Sequence, residues 1–86
     1  MPKIIMYATK LCPYCHNAKK LLAKKGAEFE EIDVTFKPSL RSEMTEKAGG
    51  ATSVPQIWIG DTHVGGFDEL LELEMDDELD AMLNPA

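Results

Sequence analysis

A proline framed by two cysteines, Cys12-Pro13-Tyr14-Cys15, stands where the short apolar run Lys3-Ile4-Ile5-Met6-Tyr7 gives way to helical spacing. The run reads as a buried strand. Proline is at home in the first position of a helix, where its missing N–H would have had no partner anyway. The junction therefore dictates a strand, a turn and a helix start, with the thiols straddling the helix N-terminus. Residues three apart on a helix share a face, so the sulfurs are able to join in a disulfide without large backbone movement. A pair so placed reads as a redox couple.

The rest of the chain continues the alternation. Pro13 to Lys25 sets Ala18, Leu21 and Leu22 against Lys19, Lys20, Lys24 and Lys25 and stops at Gly26, as an amphipathic helix does. Glu28 to Val34 is expected to be a strand, Lys37 to Ala48 a helix ending at Gly49-Gly50, and Val54 to Ile59 a strand. Gly60-Asp61 is a turn signal, after which Thr62-His63-Val64 returns as a hairpin. A last helical region runs from Phe67 to Leu83 with a break expected near Asp76. A strand-helix-strand unit needs a parallel pair, and a closing hairpin adds an antiparallel edge. The expected fold class is thus α/β, a four-stranded mixed sheet covered by helices. Cys12 falls at the carboxyl end of the first strand, where open α/β sheets place their ligands.

With 86 residues the chain is read as a single domain, 1–86, too small to wall off a deep cofactor pocket, so ligands are expected in a surface groove. No apolar stretch approaches the roughly 18 residues that suggest a membrane span. The N-terminus Met1-Pro2-Lys3 lacks the segment of a secretory signal, and cytoplasm is the expected compartment. In a reducing compartment, two cysteines point to catalysis or metal rather than to a structural bridge. The net charge of -6 argues against nucleic acid as a partner. The charge is also polarised: six lysines and no acids precede Glu28, whereas Asp68 to Asp80 carries eight acids and no basic residue. The acidic stretch is expected to be a solvated helix face.

Cys12-Pro13-Tyr14-Cys15, Ser53-Val54-Pro55 ahead of a strand, and Gly65-Gly66-Phe67-Asp68 opening the last helix occur in an order and spacing that resemble a dithiol glutaredoxin of the thioredoxin fold, nearly end to end. Thioredoxins proper usually show Cys-Gly-Pro-Cys and lack the Gly-Gly-x-Asp segment. The resemblance implies a glutathione groove in which Tyr14 flanks the tripeptide and Val54 pairs its backbone with the cysteinyl unit, with Ser53 and Pro55 on either side of it among the binding residues. Gly66, Phe67 and Asp68 would hold the γ-glutamyl end, and Arg41 or Lys10 the glycyl carboxylate. Thr9 stands where the family commonly has a lysine, with Lys10 one step nearer the thiols; Ser53 replaces a frequent threonine, and Leu11 a small polar residue. The implied reaction is glutathione-dependent reduction of protein disulfides and glutathione mixed disulfides by a monomer. Glutathione is the electron donor, no metal is expected, and ribonucleotide reductase and glutathionylated proteins are among the implied substrates.

The attacking species in such exchange is a thiolate, of which an ordinary cysteine offers only about a few per cent at neutral pH. The helix N-terminus, the amides of Tyr14 and Cys15 and the charge of Lys10 are expected to favour the Cys12 thiolate. Cys15, one turn inside the helix, is expected to stay a thiol until Cys12 is captured, and so to be the resolving residue. Val54-Pro55 reads either as an edge-strand entry or as a cis bond that turns the Val54 backbone to the groove. Gly65-Gly66 reads either as a flexible turn or as a helix N-terminus that meets the γ-glutamyl charges.

Other chemistries share parts of these motifs. His16 completes Cys-x-x-Cys-His, the haem-attachment pattern, with Met44, Met75 or Met82 as an axial sulfur. The preceding strand and internal proline suit a thioredoxin-like turn better. Cluster carriage by two subunits through Cys12 and glutathione is a second alternative, although relatives in that role often have glycine or serine in place of Pro13. Zinc is weaker, since one cysteine pair supplies two ligands and His63 has no ligand-rich neighbourhood. Trp58, Phe29 and Phe36 are expected in or near the core, with Trp58 a reporter of redox state if it packs near the thiols.

Overall fold

A computed structural model describes residues 1–85; Ala86, the last residue of the expected domain, lies outside them. The elements are β1 (Ile4–Ala8), α1 (Pro13–Lys24), β2 (Glu30–Asp33), α2 (Pro38–Lys47), β3 (Gln56–Ile59), β4 (Thr62–Gly65), α3 (Phe67–Met75) and α4 (Leu79–Leu83). They build a four-stranded sheet in the order β2-β1-β3-β4, with β1 parallel to β2 and antiparallel to β3, and β3 antiparallel to β4. The architecture is the expected thioredoxin fold.

The unbroken apolar run of β1 follows from its central place, because a strand covered on both faces needs apolar residues at both parities. Ile4, Met6 and Ala8 join Cys15, Ala18, Leu22, Ile57, Leu70, Leu79 and Leu83 in one cluster, under α1, α3 and α4. Tyr7 joins Val34 and Met44 in the other, under α2, with Ile5, Ile32 and Trp58 packed against it. No helix is long and apolar enough to cross a membrane among the described residues.

Helices α1, α2 and α3 stop in the same way. The residue after the cap is left-handed (Gly26, φ 71°; Gly49, φ 69°; Asp77, φ 59°), and the following amide reaches back to the carbonyl of Leu22, Thr45 or Leu73 at 2.8 to 2.9 Å. This is the Schellman arrangement, which satisfies orphan carbonyls at a helix end. It explains the break expected near Asp76, where aspartate serves in place of glycine. The third strand begins at Gln56 rather than Val54, since Pro55 has no N–H for the ladder and the Val54-Pro55 bond is cis. The second strand is shorter than expected, Glu30–Asp33.

Part of the acidic stretch is paired rather than merely solvated. Lys25, at the end of α1, places its Nζ 2.8 Å from Glu74 and 2.8 Å from Asp80, joining α1 to α3 and to α4. Both carboxylates raise the affinity of the Lys25 amine for its proton, Asp80 foremost.

One aromatic expectation needs correction. Phe36 is 96% exposed, at the tip of a turn closed by the Lys37 amide on the Val34 carbonyl at 3.1 Å, with the Thr35 amide donating to Asp33 Oδ1 at 2.8 Å. Its φ of 54° is left-handed, and the turn holds the ring away from either cluster. Trp58 lies on the α2 side of the sheet, edge-on to Tyr7 at 5.5 Å and stacked on His63 at 4.7 Å. Cross-strand partners share a face, and its partner Ile5 faces away from the cluster that holds the thiols.

Candidate active site

Cys12 is the N-cap of α1. Its Sγ accepts the Cys15 N–H at 3.1 Å, in the role a serine or aspartate oxygen usually plays. The Cys12 thiol also lies 3.6 Å from the Val54 carbonyl, to which it donates. Of the two amides expected at the sulfur, that of Cys15 makes the bond. The proline at N1 sets the helix entry and removes one unpartnered amide from the first turn.

Cys12 is 9% exposed, whereas Cys15 is fully buried. Both are free thiols. Burial pushes the Cys15 thiol up to about 12, with its hydrogen bond to Cys12 adding to the effect. The unfolded chain would ionise this thiol near its ordinary value of 9.0. Its contribution to stability is therefore fully present below about pH 9 and lost as pH rises towards 12. In Cys12→Ser, alkylation of Cys15 is expected to be slow and still accelerating at about pH 10, without the plateau an ordinary thiol shows. A plateau near pH 9 would contradict the buried placement.

A groove of about 320 Å³ opens beside Cys12, lined by Tyr14, Ser53, Val54, Pro55, Gly66, Phe67, Asp68 and Glu69. Seven of these were singled out in the sequence for a glutathione site. The cis Val54-Pro55 bond presents the Val54 carbonyl to this side, and Tyr14 stands 6.5 Å from Phe67 across it, ring to ring. A larger depression of about 590 Å³ lies between Met1 and the start of β2, at the opposite end of β1 from the thiols.

Lys10 and Arg41 lie outside this lining. The Lys10 ammonium is exposed and 4.0 Å from Asp33, a carboxyl held below its ordinary range chiefly by hydrogen bonds from Thr35 and further by Lys10. Arg41 borders a neighbouring depression, and its Nη2 donates to the Thr52 carbonyl at 2.9 Å, one residue before the groove loop. Both cations stand near the site with partners of their own.

Two residues shape the groove that the sequence reading passed over. Glu69 accepts the Gly66 N–H at 2.7 Å, closing the N-terminus of α3; its signal was a glutamate three residues after the cap position. Gln56, 3% exposed, donates to the Ser53 carbonyl at 2.9 Å and accepts from His63 Nε2 at 2.7 Å, pinning the Ser53 loop from beneath. A lone glutamine in a strand carries no signal of that kind. His16 is exposed, its Nε2 donating to the Lys10 carbonyl at 3.1 Å across the active-site turn. Among the described residues no group of three or more histidine, cysteine or acidic side chains is placed to hold a metal.

The glutaredoxin family model matches residues 4–64. A glutaredoxin of Pseudomonas aeruginosa is 55% identical over 84 residues, which is 98% of this chain and 99% of that one. The solution structure of glutaredoxin from Brucella melitensis superposes with a TM-score of 0.85 at 52% identity, over 96% of this chain and 89% of that one. A crystal structure of a buckwheat glutaredoxin–glutathione complex superposes with a TM-score of 0.86 at 27% identity, over 95% of this chain and 76% of that one.

Proposed function

This chain belongs to the glutaredoxin family of thiol–disulfide oxidoreductases, and we propose that it reduces glutathione mixed disulfides and protein disulfides with glutathione as electron donor. The observation that carries this reading is the thiol of Cys12 at a helix N-cap, on the lip of a groove that ends at the N-terminus of α3.

The Cys12 thiolate attacks the glutathione sulfur of a mixed disulfide. A Cys12–glutathione disulfide forms, the original S–S bond breaks, and the protein thiolate leaves and takes a proton. A second glutathione thiolate then attacks the glutathione sulfur, releasing oxidised glutathione and restoring the Cys12 thiolate. For a protein disulfide, Cys12 forms the mixed disulfide and Cys15 displaces the second substrate thiol. The internal Cys12–Cys15 bond is then reduced by two glutathione molecules. The buried Cys15 proton suits this division, because a thiol that stays protonated does not compete in the first attack.

Ionisation of Cys12 also prepares the groove. The Val54 carbonyl loses the S–H that was donated to it and becomes an acceptor for the cysteinyl N–H of glutathione. At the other end, Glu69 already occupies the Gly66 amide. The γ-glutamyl carboxylate is therefore left to the first amides of α3, at Phe67 and Asp68, while the Asp68 carboxylate faces the γ-glutamyl ammonium. Lys10 or Arg41 takes the glycyl carboxylate. The protein works as a cytoplasmic monomer of one domain, with ribonucleotide reductase and glutathionylated proteins as substrate types.

The test is turnover of the mixed disulfide of glutathione and 2-mercaptoethanol, coupled through glutathione reductase to NADPH consumption. Steady turnover is expected. Reduction supported by dithiothreitol but not by glutathione would sink the glutathione assignment.

A further inference from the structure

Phe36 and Leu11 are the most exposed large apolar side chains among the described residues, at 96% and 90%. Each follows a residue that ties their two loops together, since the Lys10 amide donates to the Thr35 hydroxyl at 2.9 Å. Both loops leave the carboxyl ends of the parallel pair β1 and β2. Because β2 lies on the opposite side of β1 from β3 and β4, this apolar pair flanks Cys12 on the side away from the groove.

We propose that Leu11 and Phe36 form a docking edge for the protein half of the substrate. Its occupant is an extended segment with an aliphatic or aromatic residue beside the disulfide-bonded cysteine and an acidic residue close by. The inference rests on the glutathione reading of the groove: with the tripeptide on the β3 and β4 side of Cys12, the departing protein thiol lies towards β2.

Three observations converge on that occupant. The Phe36 ring gains nothing from folding, and its φ of 54° is one that a bulky residue rarely adopts, so turn stability does not explain it. Leu11 adjoins the nucleophile in the chain, which makes the edge continuous with the site of exchange. The exposed charged residues next to the apolar pair in the chain are Lys10 and Lys37, set against one half-buried carboxylate, Asp33, 4.0 Å from Lys10, which leaves the rim net positive. A positive rim around an apolar contact favours an acidic segment and rejects a basic one. Neither Leu11 nor Phe36 lines the groove, so the apolar edge sorts protein substrates without touching the groove itself.

The experiment compares kcat/KM for the mixed disulfide of glutathione and 2-mercaptoethanol with that for a glutathionylated peptide, Ser-Asp-Cys-Leu-Gly-Ser. The variants are Phe36→Gly and Leu11→Ser. Glycine suits the left-handed turn, so Phe36→Gly is expected to melt no lower than the wild type. For each variant the peptide value is expected to fall about tenfold, equivalent to about 1.4 kcal/mol, while the small disulfide changes less than about twofold. A wild-type preference of about threefold or more for this peptide over its Asp→Lys counterpart is expected from the lysines. Equal losses on both substrates, or no loss on the peptide, would overturn the docking edge, and a preference for the basic peptide would overturn its acidic occupant. If the wild type fails on the small disulfide, the glutathione reading falls first and this inference with it.

Discussion

Cys12→Ser is expected to lower turnover of a glutathione mixed disulfide by on the order of a thousandfold or more, whereas Cys15→Ser keeps most of it. A serine hydroxyl at the N-cap still accepts the Cys15 amide, so α1 keeps its start. What disappears is an ionisable nucleophile and a leaving group for the second glutathione. Cys15 takes no part in that cycle, and its loss should show instead on a protein disulfide, where the mixed disulfide with substrate would accumulate. Because Cys15 is fully buried, its serine variant places a hydroxyl in the core at a cost of about 1–3 kcal/mol. Thermal melts must therefore accompany the rates. Equal loss of mixed-disulfide turnover in two folded variants would refute the division of roles.

Gly65→Ala carries the second large effect, and it acts on stability and on the groove together. Gly65 has a φ of 114°, beyond the left-handed region in which side chains are tolerated. A Cβ there would lie 2.6 Å from Glu69 Oε1 and 3.1 Å from its Cγ. Rotating the flexible glutamate away relieves the clash but surrenders its hydrogen bond to Gly66, the cap of α3. The backbone strain is on the order of 1–3 kcal/mol and the lost cap about 1, so a total of roughly 2–4 kcal/mol is expected. Urea unfolding measures that part. In the fraction that remains folded, KM for the glutathione disulfide should rise more than kcat falls, since the N-terminus of α3 binds rather than reacts. Glu69→Ala separates the two causes: it removes the cap and leaves Gly65 unstrained, so its stability loss should be the smaller. A Gly65→Ala protein as stable as the wild type would contradict the backbone argument.

Much of the fold was legible because its signals are local. The first strand, read at Lys3 to Tyr7 and found at Ile4–Ala8, the proline-led helix, the glycines after α1 and α2, and the hairpin at Gly60-Asp61 each follow from the residues within about one turn of them. The groove residues Tyr14, Val54 and Phe67 were readable through motif resemblance rather than through local physics, for they come from three separate parts of the chain. Phe36 was misplaced because hydrophobicity predicts burial only where the backbone permits it, and a turn tip does not.

By itself, the sequence determined the order of helices and strands, where the first three helices stop, and that two thiols lie together at a helix start. The tertiary structure alone decided that Val54 meets Cys12, that Gln56 pins the Ser53 loop, that Trp58 faces away from the thiols, and that Leu11 and Phe36 border one edge of the site. The physical reason is distance along the chain. Caps, turns and periodicity are satisfied by neighbours three or four residues away. The partners of Cys12 and Lys10 lie 42 and 25 residues away, and only the sheet order brings them together.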